Sequence, residues 1–120
     1  MEPKRVSREQ AELLKKVGYD VPHVYVYNNR GRLICLNHPE GNFDFDNSGN
    51  VSAPTLDEAA RWLREVKGWH VGSDWDTKSW FYFIKILDNT DSIVGGTHPT
   101  HDLALSAGID LILKKLTDGK

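Results

Sequence analysis

Apolar and charged residues alternate with a helical period between positions 55 and 67. At about 100° per residue, the apolar side chains fall on one arc and the charged side chains on the opposite side. Thr55 and Glu58 have the spacing of a capping box, in which each side chain accepts a hydrogen bond from the other residue's backbone N–H. Gly68 then suits a left-handed helix end. The pattern predicts an amphipathic helix over residues 55–67, with these side chains on its apolar arc: Leu56, Ala59, Ala60, Leu63, Val66 and, at the border, Trp62.

Two further helices follow from similar signals. Ser7 and Gln10 repeat the capping-box spacing, and the apolar stripe behind them predicts a helix over residues 7–17. A last helix is predicted to begin near Thr100, because apolar residues recur from there at helical spacing. Gly108 lies inside that helix, where glycine costs about 1 kcal/mol relative to alanine. We therefore expect the helix to approach another backbone closely at this glycine.

Residues 21–37 have the composition of a β-hairpin. β-branched and aromatic residues stand on both sides of a turn at residues 28–31, whose Asn and Gly residues tolerate positive φ. Cys35 lies in the second, apolar half of this hairpin. We interpret it as a small buried apolar residue, because nothing near it in sequence would stabilise a thiolate.

The second half of the chain predicts further strands. Residues 69–73 predict a short strand, and residues 80–87, aromatic and β-branched on both faces, predict a strand in the centre of a sheet. Residues 92–94 predict a brief edge strand, which Gly95 and Gly96 are expected to end.

These elements predict an α+β fold. The expected architecture is a mainly antiparallel sheet of four or five strands with three helices, in the order α-β-β-α-β-β-(β)-α. A chain of 120 residues has the length of one domain. We therefore expect residues 1–120 to form a single α+β domain.

Charge and composition exclude several classes of partner. The net charge is −2 with acids and bases interspersed, so no basic stripe indicates a nucleic-acid partner. The longest apolar run is far shorter than the ~20 residues of a membrane span, which predicts no membrane contact. A single cysteine provides neither a disulfide framework nor a zinc cluster, and the N-terminal residues do not resemble a signal peptide. We expect a cytoplasmic protein.

Residues 38–50 are rich in Asn, Asp, Gly and Pro and predict a long ordered loop or a loop with one short strand at residues 43–45. Oxygen-bearing side chains within it match the first half of a calcium-binding loop, with glycine at the sixth position. The twelfth position, which requires a bidentate Glu, is Thr55, the predicted helix cap. A structural loop is favoured, and a calcium-binding module is kept as the alternative function. The candidate ligands are Asp44, Asp46, Ser48 and Asn50.

His98, His101 and Asp102 form a second candidate cluster. Imidazole and carboxylate side chains can bind zinc or act as acid and base. The same residues suit the start of the last helix, where Asp102 is favourable at the positive end of the dipole. The chain contains no phosphate loop, dinucleotide fingerprint or serine nucleophile elbow, so we expect no cofactor. A non-enzymatic protein is favoured over a small enzyme that uses this cluster.

Aromatic side chains suggest a surface for protein contacts. Tyr25 and Tyr27 are predicted on the hairpin face opposite Val24 and Val26, and Trp62 lies at the border of the central helix's apolar arc. Packing in the core explains these residues in the simplest way. The alternative is a surface for a protein partner or for self-association, because Trp and Tyr are enriched at interfaces.

Three segments carry a resemblance to known proteins. They are EQAELLKKVGYDVP near the start, SAPTLDEAARWLREVKGWHV in the middle, and the Thr before an Ala-containing helix at the end. The chain resembles a family of small proteins of uncharacterised function from gut-bacterial (Bacteroides-type) genomes, their prophages and mobile elements. The resemblance implies the same α+β arrangement and a phage-related or mobile-element setting, and it supplies no catalytic residue or cofactor. Together with the aromatic residues, it predicts a non-enzymatic accessory protein that acts through protein contacts.

Overall fold

The computed structural model describes residues 4–42, 49–86 and 92–118. It confirms the α+β class, and the observed order of elements follows the predicted one except for an additional strand before the second helix. The elements are α1 (Arg8–Lys16), β1 (His23–Tyr27), β2 (Leu33–Glu40), β3 (Val51–Ser52), α2 (Leu56–Trp62) with a π-helical continuation (Leu63–Lys67), β4 (Trp69–Trp75), β5 (Trp80–Ile86), β6 (Ser92–His98) and α3 (His101–Asp118).

The strands divide between two antiparallel sheets, where the sequence predicts a single sheet of four or five strands. The first has the order β2-β1-β3 and the second the order β4-β5-β6, so β5 is central as predicted. Strand β3 escapes sequence-based prediction because it has only two residues and pairs through Val51 with Tyr27 and through Ser52 with Val26. This pairing gives β1 neighbours on both sides and leaves β4 to begin the second sheet.

Helix α1 has the predicted capping box. The Ser7 hydroxyl accepts a hydrogen bond from the Gln10 N–H at 3.1 Å, and the Gln10 side chain accepts one from the Ser7 N–H at 2.9 Å. The Gln10 amide also donates to the Ser106 carbonyl of α3 at 2.9 Å. One buried side chain therefore caps the first helix and joins it to the last.

Helix α2 begins as predicted, with the Thr55 and Glu58 capping box, and the segment ends at Gly68 with φ of 75°. Its second half is π-helical, which the apolar spacing does not reveal. A π turn adds one residue per turn and shifts the following side chains around the axis. Val66, predicted on the apolar arc, is therefore 58% exposed, which makes that prediction wrong. The same shift places the Lys67 ammonium 5.7 Å from the centre of the Trp62 ring.

Helix α3 covers one face of the second sheet and also contacts α1 and α2. A Cβ added to Gly108 would lie 2.7 Å from Val71 Cγ2 and 3.1 Å from Tyr82 Cβ. The glycine is thus required by close packing, as expected, although side chains of the sheet make the contact. The core around this helix consists of Val6, Ala11, Leu14, Tyr19, Val51, Leu56, Ala59, Leu63, Val71, Ile84, Leu105, Ile109, Ile112 and Leu113.

Strand β6 continues through Gly95 and Gly96, so the predicted end of the strand at these glycines is wrong. Gly96 has φ of 89°, and the register with β5 shifts between Trp80 and Tyr82. A glycine with positive φ opposite such a shift is typical of a β-bulge, which allows pairing to resume at His98.

Cys35 is exposed, so the prediction of a buried thiol is also wrong. It lies on β2, the outer strand of the first sheet, and several side chains of that strand remain in solvent. The apolar composition of the hairpin therefore reports strand propensity more than burial. Within the described part of the chain, no helix has the length and apolar character needed to cross a membrane.

Candidate functional site

The two tyrosines predicted as partner contacts lie beside the N-terminal segment. The Tyr27 hydroxyl donates a hydrogen bond to the Val6 carbonyl at 2.6 Å. The guanidinium of Arg5 lies 4.1 Å from the centre of the Tyr25 ring and donates to the Ala53 carbonyl at 2.8 Å. Both rings hold this segment against the domain, and a role in partner binding stays a prediction for each.

Trp62 lies at the rim of a cavity of about 250 Å³ on the outer side of α2. Its ring meets the Tyr19 ring edge-on, with 5.1 Å between the ring centres. Arg61 and Glu65, which also line the cavity, form an ion pair at 3.1 Å. The indole is therefore half-buried between a buried aromatic ring and the Lys67 ammonium, and its predicted role in partner binding also stays a prediction.

Three polar side chains lie together at this cavity: Tyr19 and Glu58, which line it, and His23 between them. The Tyr19 hydroxyl lies 2.6 Å from His23 Nε2, and His23 Nδ1 lies 4.0 Å from a Glu58 carboxylate oxygen. Burial raises the pKa of Tyr19, so the phenol keeps its proton and shares a hydrogen bond with the imidazole. Sequence reasoning missed this group of side chains because Tyr19 lies in a loop, His23 in β1 and Glu58 in the first turn of α2.

Burial and the charge of Arg5 lower the pKa of His23, although the Glu58 carboxylate acts in the opposite direction. Burial also opposes ionisation of Glu58, but hydrogen bonding with Thr55 and the charges of His23 and Arg5 outweigh it and lower the pKa of Glu58. The arrangement therefore favours a neutral imidazole beside an ionised carboxylate.

Replacing His23 by glutamine is expected to flatten the pH dependence of folding stability. The pKa of His23 is lower in the folded state than its ordinary value of 6.5, so the unfolded chain takes up a proton first as the pH falls. This stability contribution is complete above pH 6.5 and is lost as the pH falls towards the lower folded-state pKa. Urea unfolding at a series of pH values measures the difference in slope.

The matched control is His38→Gln, which changes an exposed imidazole on β2. This variant is expected to keep the wild-type slope. Equal slopes for wild type and His23→Gln between about pH 5.5 and pH 7.5 would contradict the assigned environment of His23.

The predicted calcium ligands Asp44, Asp46 and Ser48 lie outside the described residues, and so does the short strand predicted at residues 43–45. Asn50 directly precedes β3, and Gly49 beside it has φ of 79°. Calcium binding by this loop stays a prediction.

The two histidines of the predicted cluster at the start of α3 each lie beside a different aromatic ring. The His98 ring lies 6.5 Å from Tyr82, and the His101 ring meets Trp80 edge-on at 5.4 Å. Asp102 stands in the first turn of α3. Among the described residues, no group of three or more His, Cys, Asp or Glu side chains is placed to hold a metal ion. Acid and base chemistry at this cluster stays a prediction.

The second sheet has a face opposite α3 that the described core does not include. The α2 segment borders only its β4 edge, where His70 and Gly72 line a cavity together with Arg61 and Arg64. Helix α3 packs against the side chains of Val71 and Tyr82, and strand alternation points the neighbouring residues the other way. Val94 is 64% exposed on this opposite face, and none of the residues there belongs to the described core. We call this surface the open face. Its residues are His70, Gly72, Asp74, Phe81, Phe83, Lys85, Ser92 and Val94.

Strand pairing arranges the open face in three rows across the strands. The first row pairs His70, Lys85 and Ser92, the middle row pairs Gly72, Phe83 and Val94, and the last row pairs Asp74 and Phe81.

The absence of a side chain at Gly72 shapes the middle row. A Cβ added there would lie 2.4 Å from Phe83 Cζ, so the Phe83 ring lies over the glycine. Sequence reasoning placed β5 in the centre of a sheet and did not decide whether the second face is covered. Glycine, aspartate and lysine at alternate positions of β4 and β5 indicate a solvated side.

Comparison with protein-family models, with curated proteins and with solved structures found no match to this chain.

Proposed function

We propose that this chain is a small non-enzymatic accessory protein that acts through protein–protein contacts, with the open face as its contact surface. The observation that carries the proposal is the exposure of Val94 beside the half-buried rings of Phe81 and Phe83. An aromatic centre with charged residues at its rim is typical of protein interfaces.

An ordinary solvated sheet face would not have this composition. Antiparallel sheets that face water on one side alternate apolar residues inward with polar residues outward. Here the outward positions of β5 hold two phenylalanines before Lys85, and β6 adds an outward valine. Exposed apolar side chains that lie together are typical of contact sites, because binding a partner removes their surface from water.

The setting belongs to the proposal too. A phage or mobile-element role rests on the resemblance of the three sequence segments alone. A contact module without its own chemistry fits such a setting, because accessory proteins act by joining or blocking other proteins. Calcium binding by the loop before β3 remains the alternative function.

Photo-crosslinking in cells that produce the chain tests the contact surface. A photoreactive phenylalanine derivative at position 94 is expected to give adducts of discrete mass, and Phe83→Asp in the same chain is expected to remove them. The matched control places the derivative at Lys115, an exposed position on α3, where no such adduct is expected. Equal adduct patterns at both positions, or adducts that persist with Phe83→Asp, would contradict the proposal.

A further inference from the structure

We infer that the open face binds a second copy of the same chain, with the two sheets stacked about a two-fold axis that runs across the strands at the level of Phe83. This inference rests on the proposed function, because it identifies the partner of the same surface. It follows from the distribution of charge over the three rows.

The rows carry opposite charge at their two ends. Lys85 stands in the first row and Asp74 in the last, with the apolar row between them. Residues two apart on a strand are separated by about 6.8 Å, so the charged rows lie at nearly equal distances on either side of Phe83. The surface is therefore basic at one end, apolar in the middle and acidic at the other end.

Such a surface is complementary to itself. A two-fold axis across the strands reverses the strand direction in the second copy, so the Lys85 row of each copy lies over the Asp74 row of the other. The apolar middle rows then meet each other. An axis along the strands would instead place Lys85 over Lys85, which like-charge repulsion disfavours.

The shape of the middle row permits this stacking. The Phe83 ring lies over Gly72 instead of standing upright from the sheet, which leaves the centre of the open face low. Face-to-face sheets pack about 10 Å apart, a distance that low central side chains allow. Asp74 and Lys85 are both exposed, and one carboxylate oxygen of Asp74 accepts the Trp75 N–H at 2.8 Å, which leaves the other oxygen for a partner.

The size of the face sets the expected strength. Three strands of seven residues cover about 300 Å², well below the ~800 Å² per partner of a standard interface. We therefore expect a weak dimer with a dissociation constant in the micromolar range or above. Its formation depends on protein concentration and, because charged rows pair, on ionic strength.

Charge exchange between the rows tests the inference. Sedimentation equilibrium from micromolar to millimolar protein is expected to show a monomer–dimer equilibrium for the wild type. Lys85→Glu and Asp74→Lys each place like charges together twice, by symmetry, and are expected to weaken the dimer at least about tenfold. The double variant exchanges both charges and is expected to restore the dimer to within about threefold of wild type.

Two further variants separate this effect from a folding defect. Val94→Asp introduces a charge into the exposed middle row and is expected to abolish the dimer, with the circular dichroism of the folded chain unchanged. Lys115→Glu makes the same kind of charge change on α3 and is expected to leave the dimer intact. A wild type that stays monomeric, single variants that dimerise like wild type, or a double variant without recovery would each overturn the inference.

The crosslink at position 94 distinguishes this inference from the proposed function. An adduct with twice the mass of the chain supports both. If the wild type is monomeric and the adduct contains a different protein, the proposed contact function stands and the self-association is wrong. Without any adduct specific to position 94, both are wrong.

Discussion

Replacing Asn42 by alanine is expected to lower the free energy of unfolding by about 2–4 kcal/mol. Asn42 is fully buried, its side-chain amide donates to the Tyr19 carbonyl, and its side-chain oxygen accepts the Ser52 N–H at 2.7 Å. Alanine would leave two buried backbone groups without partners, and each such group costs about 1–3 kcal/mol. Urea or thermal unfolding monitored by circular dichroism measures the loss.

The control for this change is Asn37→Ala, the same substitution at an exposed position of β2. It is expected to change the free energy of unfolding by less than about 0.5 kcal/mol. Asn42→Asp keeps an acceptor for Ser52 but no donor for Tyr19, so it too is expected to destabilise the fold. If Asn42→Ala and Asn37→Ala unfold alike, the amide of Asn42 does not join β3 to the segment after α1.

Replacing Gly108 by valine is expected to lower the free energy of unfolding by about 3 kcal/mol. The added Cβ alone would lie 2.7 Å from Val71 Cγ2, and the two methyl groups would press further into the sheet. Overpacking of this kind typically costs about 1–3 kcal/mol, and a β-branched residue gains little helix propensity over glycine. Thermal unfolding of the variant measures the effect.

A double-mutant cycle provides the control. Val71→Ala alone removes buried methyl groups and is expected to destabilise the fold, but it also makes room opposite position 108. The double variant is therefore expected to be more stable than the sum of the two single changes predicts, by about 1 kcal/mol or more. Additive effects would show that the helix and the sheet do not press on each other at this point.

Local signals in the sequence predicted the elements well. The capping boxes at Ser7 and Thr55 act between residues three positions apart, so the chain records both helix starts directly. The hairpin turn is equally local, with the Asn28 side chain accepting the Arg32 N–H at 3.0 Å. Such interactions need no information about the rest of the fold.

Features that depend on distant contacts were missed. Asn42 was assigned to a polar loop, since its two buried partners lie 23 and 10 positions away. The exposure of Cys35 depends on what covers β2, and the turn of Val66 into solvent depends on the π-helical register. Composition reports propensity at such positions but does not report which surfaces become covered.

The candidate contact surface also depends on contacts between residues that are distant in sequence. The sequence contains more aromatic residues than one core face needs. The residues predicted from it as partner contacts were Tyr25, Tyr27 and Trp62, none of which lies on the open face. The open face emerges only when β4, β5 and β6 are paired and Phe83 and Val94 fall in one row. Row membership across three strands is set by register, which the turns and the bulge at Gly96 decide.

The double use of the Gln10 side chain bears on the order in which the chain folds during synthesis. Its amide reaches Ser106, 96 positions further along the chain. On the ribosome, the first helix is therefore made long before Ser106. Until Ser106 is in place, the Gln10 amide can donate only to water. The N-terminal helix also contacts β3, so it is expected to gain part of its stability earlier and the rest only after the last helix has been made.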